Sequence, residues 1–239
     1  MAVVSAVASA SGTQHGLKFT PGPILMLGPP GVGKGTQAQE LMAAWSIPQI
    51  STGDLLRSNV SRGTVLGKLA KEVMDRGELV SDDLVNQMVA ERLKEPDTAT
   101  GYILDGFPRT LNQADWLDQY LGAIPGSLPV VAVSIEVSYN QLLRRITGRR
   151  ICSLCKTSYN IYLQPPKVDE LCDLDGTPLT RRSDDTEEVF EERMRAYSAL
   201  TAPVVEHYRA LGRFAEVNGE QPVNVVTAEV MRAVLGLRS

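Results

Sequence analysis

The sequence predicts an α/β fold built on a doubly wound, parallel, five-stranded sheet. Short apolar runs alternate with amphipathic segments, and the first apolar run leads directly into a glycine-rich turn followed by a helix. The predicted strands cover residues 24–27, 48–50, 102–105, 129–137 and 214–217. From residue 148 to 185 the alternation stops and cysteines, prolines and turn residues replace it, which indicates an inserted small domain.

The first predicted strand ends in the stretch GPPGVGKGT at residues 28–36. Its glycines let backbone N–H groups turn around an anion, and the N-terminus of the following helix adds the positive end of its dipole. Lys34 supplies a mobile positive charge for outer phosphates. The stretch fits G-x-x-x-x-G-K, but Gly35 stands where a hydroxyl usually binds Mg²⁺, and the nearest hydroxyl is on Thr36. A phosphate-binding loop, or P-loop, is therefore predicted.

Composition narrows the class of protein. Of the 239 residues, 43% are hydrophobic and 22% are charged, which is typical of a globular chain with a sizeable core. A net charge of −4 argues against general nucleic-acid binding, and no apolar run reaches the length of a membrane span. Three cysteines cannot form a closed disulfide framework, so a reducing, cytoplasmic location is expected.

The N-terminal segment 1–20 is rich in small residues and contains no acidic residue. It lacks the positive start of a secretory signal, and its one lysine, Lys18, matches an arginine-rich transit peptide poorly. We expect a flexible tail, with a cleaved targeting peptide as the alternative.

Helices are expected after each strand. Residues 51–54 supply cap chemistry for a short helical region, and Ser81, Asp82 and Asp83 cap a helix that ends before Pro96. Further helices are predicted at 112–121, 141–147 and within 223–237. Asp185 and Glu188 resemble a capping box that restarts the helical pattern. The stripe that follows consists of Phe190, Met194, Tyr197, Val204 and Tyr208.

A second phosphate signal is the sequence DGFPR at residues 105–109. Asp105 ends a buried strand at the edge where such sheets bind ligands, and its carboxylate can orient Mg²⁺ or its waters. Gly106 allows close backbone approach, and Arg109 can bind a phosphate with two N–H groups. Taken alone, the stretch also fits an ordinary strand-ending turn.

The inserted segment contains two paired ligand positions, Cys152 with Cys155 and Cys172 with Asp175. Two such pairs predict a closed, four-coordinate structural site of the zinc type, although iron or cobalt also suits a thiolate-rich site. Three buried free cysteines are the alternative. A redox role is disfavoured because the cysteines lie outside a strand–helix context.

Taken together, these motifs closely resemble the adenylate kinase family, in its long-lid, zinc-binding bacterial type. The resemblance covers residues 23 to about 234 and rests on GPPGVGKGTQ at 28–37, LDGFPRT at 104–110, GRR at 148–150 and RSDD at 182–185. It implies reversible phosphoryl transfer between ATP and AMP to give two ADP, with Mg²⁺, in adenine nucleotide homeostasis. It also implies a monomer that binds neither nucleic acid nor membrane.

The resemblance assigns roles to individual residues. The ATP-binding residues it implies are Gly31, Val32, Gly33, Lys34, Gly35, Thr36, Arg145, Arg149, Ser158, Tyr159 and Gln221. Those implied for AMP are Thr52, Arg57, Glu78, Leu79, Val80, Gly106, Arg109, Gln113, Arg182 and Arg193. Catalytic roles are implied for Lys34, Arg109, Arg149, Arg182 and Arg193, and Asp105 resembles the residue that holds Mg²⁺ through water.

The same resemblance implies a division of the chain. The P-loop core takes residues 21–50, 81–147 and 186–239, the AMP-binding domain 51–80 and the zinc-braced lid 148–185. Closure of the two insertions brings in arginines and excludes water. Neither His15 nor His207 is expected to act as a base, because an AMP phosphate is already ionised.

Two alternatives stay open from the sequence. A kinase for another nucleoside monophosphate, such as UMP or CMP, has similar motifs, although Thr52 and Gln113 favour adenine. A zinc-ribbon binding module with a nucleotide switch belongs to a different class, and the acidic net charge and the 5% aromatic content disfavour it as a nucleic-acid binder.

Overall fold

The structure, a computed structural model, describes residues 19–76 and 78–239, so most of the predicted tail lies outside the described residues. The strands are β1 (Gly22–Leu27), β2 (Gln49–Ser51), β3 (Gly101–Asp105), β4 (Val131–Glu136), β5 (Arg149–Cys152), β6 (Ser158–Asn160), β7 (Leu179–Thr180) and β8 (Phe214–Asn218). The helices are α1 (Lys34–Trp45), α2 (Thr52–Ser61), α3 (Val65–Asp75), α4 (Asp82–Leu93), α5 (Leu111–Gly122), α6 (Tyr139–Thr147), α7 (Glu187–Ala196), α8 (Ala202–Ala210) and α9 (Val223–Arg238). A 3₁₀ turn covers Pro96–Thr98, and a π turn, Tyr197–Thr201, joins α7 to α8.

Five strands form one sheet in the order β2-β3-β1-β4-β8, and every neighbouring pair is parallel. Helices cover both faces, so strand residues are buried on both sides and read as continuous apolar runs in the sequence. Ile24 packs with α1 and α9 on one face, while Leu25 packs with α4, α5 and α8 on the other. The predicted doubly wound, five-stranded parallel sheet is confirmed.

The parallel arrangement brings the carboxyl ends of the strands to one edge. Gly28 follows β1 there, next to the end of β3, whose last residue Asp105 is paired in register with Ser51 of β2. Two of the sequence signals, the glycine-rich turn and Asp105, therefore meet at the edge where sheets of this kind bind ligands.

The lid segment contains a second, small sheet. Strand β5 pairs antiparallel with β6 and with β7. A small buried cluster of Cys152, Tyr159, Cys172 and Leu179 lies against it. The sequence pattern did not predict these strands because runs of two to four residues are too short to show a period.

Two predicted helix caps differ in the structure. Thr186, not Asp185, caps α7 by accepting from the Val189 N–H, because the Asp185 carboxylate is bound to Arg149. Ser81 occupies the N-cap position of α4 but makes no side-chain cap hydrogen bond. Asp185 and Asp82 were both expected to cap their own helices. Each carboxylate instead binds a residue far along the chain, Arg149 and Gln113 respectively.

The predicted apolar stripe from Phe190 to Tyr208 changes face at the π turn. Phe190 belongs to the core cluster on the β1 face that holds Ile24, whereas Val204 and Tyr208 belong to the opposite cluster. Within the turn, the buried Thr201 donates its hydroxyl to the backbone oxygen of Arg109 at 2.9 Å. The helical segment is thereby tied to the loop after β3.

Among the described helices, none combines the length and apolar character that a membrane span requires.

Candidate active site

The predicted phosphate loop lies between β1 and α1. Gly28, Gly31 and Gly33 have positive φ angles of 124°, 85° and 108°. A Cβ on Gly28 would also lie only 2.6 Å from the backbone oxygen of Ile135, so no other residue fits that position. The glycine spacing is therefore required by the backbone path of the loop, as the sequence predicts.

Lys34 is half-buried at the start of α1. Its ammonium group donates to the backbone oxygens of Gly28 at 2.8 Å and Pro29 at 3.0 Å. Burial lowers the pKa of Lys34 to about 8; the Asp105 carboxylate opposes this shift, and Arg109 adds to it. The lysine thus lies in a strongly positive environment, which a phosphate would neutralise.

The loop after β3 brings Arg109 to the same place. The Gly106 backbone oxygen accepts from the Thr52 hydroxyl and from Arg109 Nε, both at 2.8 Å. Gly106 has a φ of 77°, and a Cβ there would lie 2.9 Å from Arg109 Nη2. Burial, followed by repulsion from Arg193, lowers the pKa of Arg109 to about 10. The guanidinium remains charged at neutral pH.

Three of the predicted phosphate-binding arginines are paired with carboxylates. Arg57 binds Asp54 at 2.7 Å, Arg193 binds Asp184 at 3.0 Å, and Arg149 Nε binds Asp185 at 2.8 Å with a second bond from Nη2. Sequence reasoning counted Asp54 only among the cap residues 51–54, gave Asp184 no role beyond the motif at 182–185, and missed the pairing role of Asp185. These carboxylates hold the three guanidinium groups in place.

Arg182 lies at the edge of the same cluster, with Nη2 3.9 Å from Asp54. Burial and the neighbouring Arg149 lower the pKa of Arg182 to about 10. The predicted arginines therefore converge on one positive region between the phosphate loop and α2.

A pocket that opens to solvent lies beside this positive region. Nine of the residues predicted for AMP line it: Thr52, Arg57, Glu78, Leu79, Val80, Gly106, Arg109, Gln113 and Arg193. Arg182 is the one predicted residue that does not. The pocket also has apolar walls, Leu56, Met74 and Val85, which sequence reasoning missed because they look like ordinary core positions of their helices.

Two polar side chains in the pocket have fixed hydrogen bonds. The Thr52 hydroxyl gives its proton to Gly106, so the oxygen can only accept a further bond. The Gln113 amide is buried, with Oε1 accepting from the Arg109 backbone N–H at 2.7 Å and Nε2 donating to Asp82 Oδ1 at 2.8 Å. Both side chains retain some hydrogen-bonding capacity for a ligand.

On the other side of the phosphate loop, Arg145 links two segments. Its guanidinium donates to the Val32 oxygen at 2.9 Å and to the Gly219 oxygen at 2.8 Å. Gln221 lies two residues after Gly219, and its side-chain NH₂ group donates to Glu229, so that group is already engaged. Ser158, at the start of β6, is exposed.

The Tyr159 side chain is buried inside the lid. The resemblance places it beside the adenine of ATP, but its ring is only 7% exposed and belongs to the interior of the lid. Its hydroxyl accepts from the Asp173 N–H at 2.8 Å and lies 3.5 Å from Cys172 Sγ. The side chain is therefore unavailable to a nucleotide, and only its backbone remains for that role.

The four predicted metal ligands meet in the lid. The ligand atoms of Cys152, Cys155, Cys172 and Asp175 all lie within 4.8 Å of one another. The sulfurs of Cys155 and Cys172 are 3.5 Å apart, close to the spacing of about 3.8 Å expected around tetrahedral zinc. Lys156 and Gly176 both have left-handed φ angles just after the two ligand pairs, so the two turns share one geometry.

The fourth ligand is suited to bind a cation. The Thr177 N–H donates to Asp175 Oδ1 at 2.9 Å, and this bond holds the pKa of the Asp175 carboxyl well below its usual range. An ionised carboxylate with three thiol groups fits a zinc-type site. The alternative of three buried cysteines is wrong, because Cys155 is exposed.

Asp105 fits the predicted Mg²⁺ role. Its Oδ2 accepts from Gln49 Nε2 at 2.9 Å and faces the start of α1, since a Cβ on Gly35 would lie 3.8 Å away. No hydrogen bond to Oδ1 exists in the part of the chain that the structure describes, so this oxygen can accept from metal-bound water. The glycine at position 35 leaves room between the carboxylate and the loop.

Comparison with known proteins finds relatives that are adenylate kinases. A family model described as adenylate kinase matches residues 26–213. The adenylate kinase of Nitrosococcus oceani is 47% identical over 207 residues, which is 86% of this chain and 95% of the relative. That of Petrotoga mobilis is 48% identical, covering 87% and 94%, and that of Archaeoglobus fulgidus is 46% identical, covering 87% and 95%.

Proposed function

The chain belongs to the adenylate kinase family and catalyses reversible phosphoryl transfer between ATP and AMP to give two ADP, and from that premise we propose how its residues divide the reaction. The observation that carries the proposal is the convergence of Lys34 and the arginines between two nucleotide sites. Besides burial, the positive charges of Arg109, Arg149 and Arg193 all lower the pKa of Lys34. One phosphoryl group passing between the two sites would meet all four.

We propose that ATP binds along the phosphate loop. Residues 31–36 surround its phosphates with backbone N–H groups, and Lys34 turns from the Gly28 and Pro29 oxygens onto the transferring group. Arg145 and Arg149 lie over the nucleotide, and the backbones of Ser158, Tyr159 and Gln221 contact its base. When bound, Mg²⁺ supplies positive charge on the phosphate oxygens, and Asp105 would hold its waters.

We propose that AMP occupies the pocket beside α2 and α3. Arg57 and Arg193 then exchange their carboxylate partners for phosphate oxygens. Together with Arg109 and Arg182 they place the nucleophile in line. Such transfer depends mainly on positioning and on stabilising charge at the equatorial oxygens, which these fixed cations supply. An AMP phosphate is already ionised, so the reaction does not need a protein base.

The base site favours adenine. The Thr52 oxygen and the remaining lone pair of Gln113 Oε1 both accept hydrogen bonds, and both line the pocket. Adenine offers an exocyclic amino group to such acceptors. Guanine offers a carbonyl at the same ring position, which would face an acceptor and lose a bond. The hydrogen-bond pattern thus supports AMP over GMP.

The lid metal is proposed as a structural zinc. Cys152, Cys155, Cys172 and Asp175 would hold it and fix the two turns of the lid as one body. We propose that segments 51–80 and 148–185 move over the nucleotides and exclude water, which would otherwise hydrolyse ATP. A monomer in the cytoplasm that uses neither nucleic acid nor membrane as a partner stays a prediction.

Substrate panels test the proposal. We expect transfer from ATP to AMP to be faster than transfer to CMP, UMP or GMP in a coupled assay of purified protein. Higher kcat/KM for UMP or CMP would contradict the adenine assignment.

Metal analysis of the same preparation should give about one zinc per chain. Family membership already answers the alternative of a binding module with a nucleotide switch.

A further inference from the structure

We propose that Asp82 is a positioning residue that makes the base site specific for adenine by fixing the orientation of the Gln113 amide. Asp82 is the first residue of α4, where a carboxylate ordinarily serves its own helix. Here its two oxygens bind elsewhere: Oδ2 accepts from the Thr110 hydroxyl at 2.7 Å, and Oδ1 accepts from Gln113 Nε2 at 2.8 Å. Both partners belong to the start of α5.

The amide of Gln113 is fixed from both ends. A carboxylate can only accept, so the NH₂ group must face Asp82. A backbone N–H can only donate, so the Gln113 oxygen must face the Arg109 N–H. Turning the amide by 180° would break both bonds and place oxygen against oxygen. The side chain is only 2% exposed, so water cannot replace the lost partners.

This fixed orientation determines what the amide can recognise. After its two internal bonds, Gln113 retains one N–H donor and one oxygen lone pair for a ligand in the pocket that it lines. Adenine presents an acceptor at N1 beside a donor at the 6-amino group. Hypoxanthine and guanine present the reverse, a donor at N1 beside an acceptor at O6. A freely rotating amide could match either pattern, whereas a fixed amide matches only one.

The inference rests on the proposed function, because it requires the AMP base to lie against Gln113. Within that site, Asp82 does not touch the base; it acts only through the amide. Its chemistry also matters, because a group that can both accept and donate would allow the reversed amide.

Asp82→Asn is the test. The variant keeps the shape but offers either an oxygen or an NH₂ group, so only the Arg109 N–H still holds the Gln113 amide. We expect the ratio of kcat/KM for AMP to that for IMP to fall about five- to tenfold, the value of one hydrogen bond. The change should come mainly from KM for AMP, with KM for ATP unaltered.

Asp83→Asn is the matched control. It removes the same charge from the same helical turn, its side chain is exposed, and it has no hydrogen bond in the described part of the chain. The AMP to IMP ratio should stay within twofold of the parent. An equal fall in both variants would overturn the inference, because loss of charge at the helix end would then explain it.

Gln113→Leu distinguishes a failure of the Asp82 inference from a failure of the proposed base site. If this variant lowers the ratio while Asp82→Asn leaves it unchanged, the Asp82 inference is wrong and the proposed base site stands. If Gln113→Leu also leaves the ratio unchanged, the base does not lie against Gln113 and the proposed site itself fails. Should Asp82→Asn not fold, Asp82→Ala serves as a second variant with the same expected fall, and each melting temperature is recorded.

Discussion

Removing the charge of Asp185 should destabilise the protein more than removing an exposed ion pair. Its side chain is fully buried, and it binds Arg149 through two hydrogen bonds. Arg149 begins the lid at β5, and Asp185 follows the last lid strand. The pair therefore joins the two ends of the inserted segment, and Arg181 Nε adds a bond to the Asp185 backbone oxygen at 3.0 Å.

The loss of stability expected for Asp185→Asn follows from the burial of the Asp185–Arg149 pair. Breaking a buried pair by removing one partner costs about 3–5 kcal/mol. Arg149 is 20% exposed, so the charge left behind in Asp185→Asn is partly solvated, and the asparagine oxygen still accepts one bond. We therefore expect a loss of about 2 kcal/mol in the free energy of unfolding. For a chain of this size, that lowers the melting temperature by about 4–8 °C.

Thermal unfolding followed by circular dichroism measures this loss. Glu192→Gln is the control, because it removes a helical ion pair with Arg195 whose side chains are 39% and 66% exposed. Such a pair contributes about 0.5 kcal/mol, so the control should shift the melting temperature by about 1–2 °C. If the melting temperature of Asp185→Asn falls no further than that of Glu192→Gln, the conclusion that this buried pair stabilises the lid is refuted.

Two further outcomes follow from the site. Because the pKa of Lys34 is lowered to about 8 in the free enzyme, phosphate binding should raise it, so ATP binding near pH 8.5 should take up about half a proton or more. Calorimetry in buffers of different ionisation enthalpy measures this uptake, and its persistence in Lys34→Ala would contradict the assignment. Cys172→Ala should lose bound zinc and melt at a lower temperature. Ser153→Ala, in the first ligand turn, should keep the zinc content and the melting temperature of the parent protein. Unchanged metal content in Cys172→Ala would refute the four-ligand site.

Much of the fold and part of the site could be predicted from the sequence because their causes are local. The strand residues of the central sheet are buried on both faces, so they appear as apolar runs. The phosphate loop requires glycine where φ is positive, as at Gly28, so its backbone shape is visible in its residues. The spacing of Cys152 and Cys155 is likewise set by one turn of chain.

The tertiary structure decided which partners the polar side chains take. Asp185 resembles a helix cap in the sequence but pairs with Arg149, 36 positions away, and Asp82 binds Gln113, 31 positions away. Tyr159 resembles a nucleotide contact but lies beside Cys172 in the lid interior. A carboxylate or hydroxyl near a helix or strand end has both a local backbone partner and distant ones of similar strength. Packing determines which of them is buried beside it, and the buried partner is the one it binds.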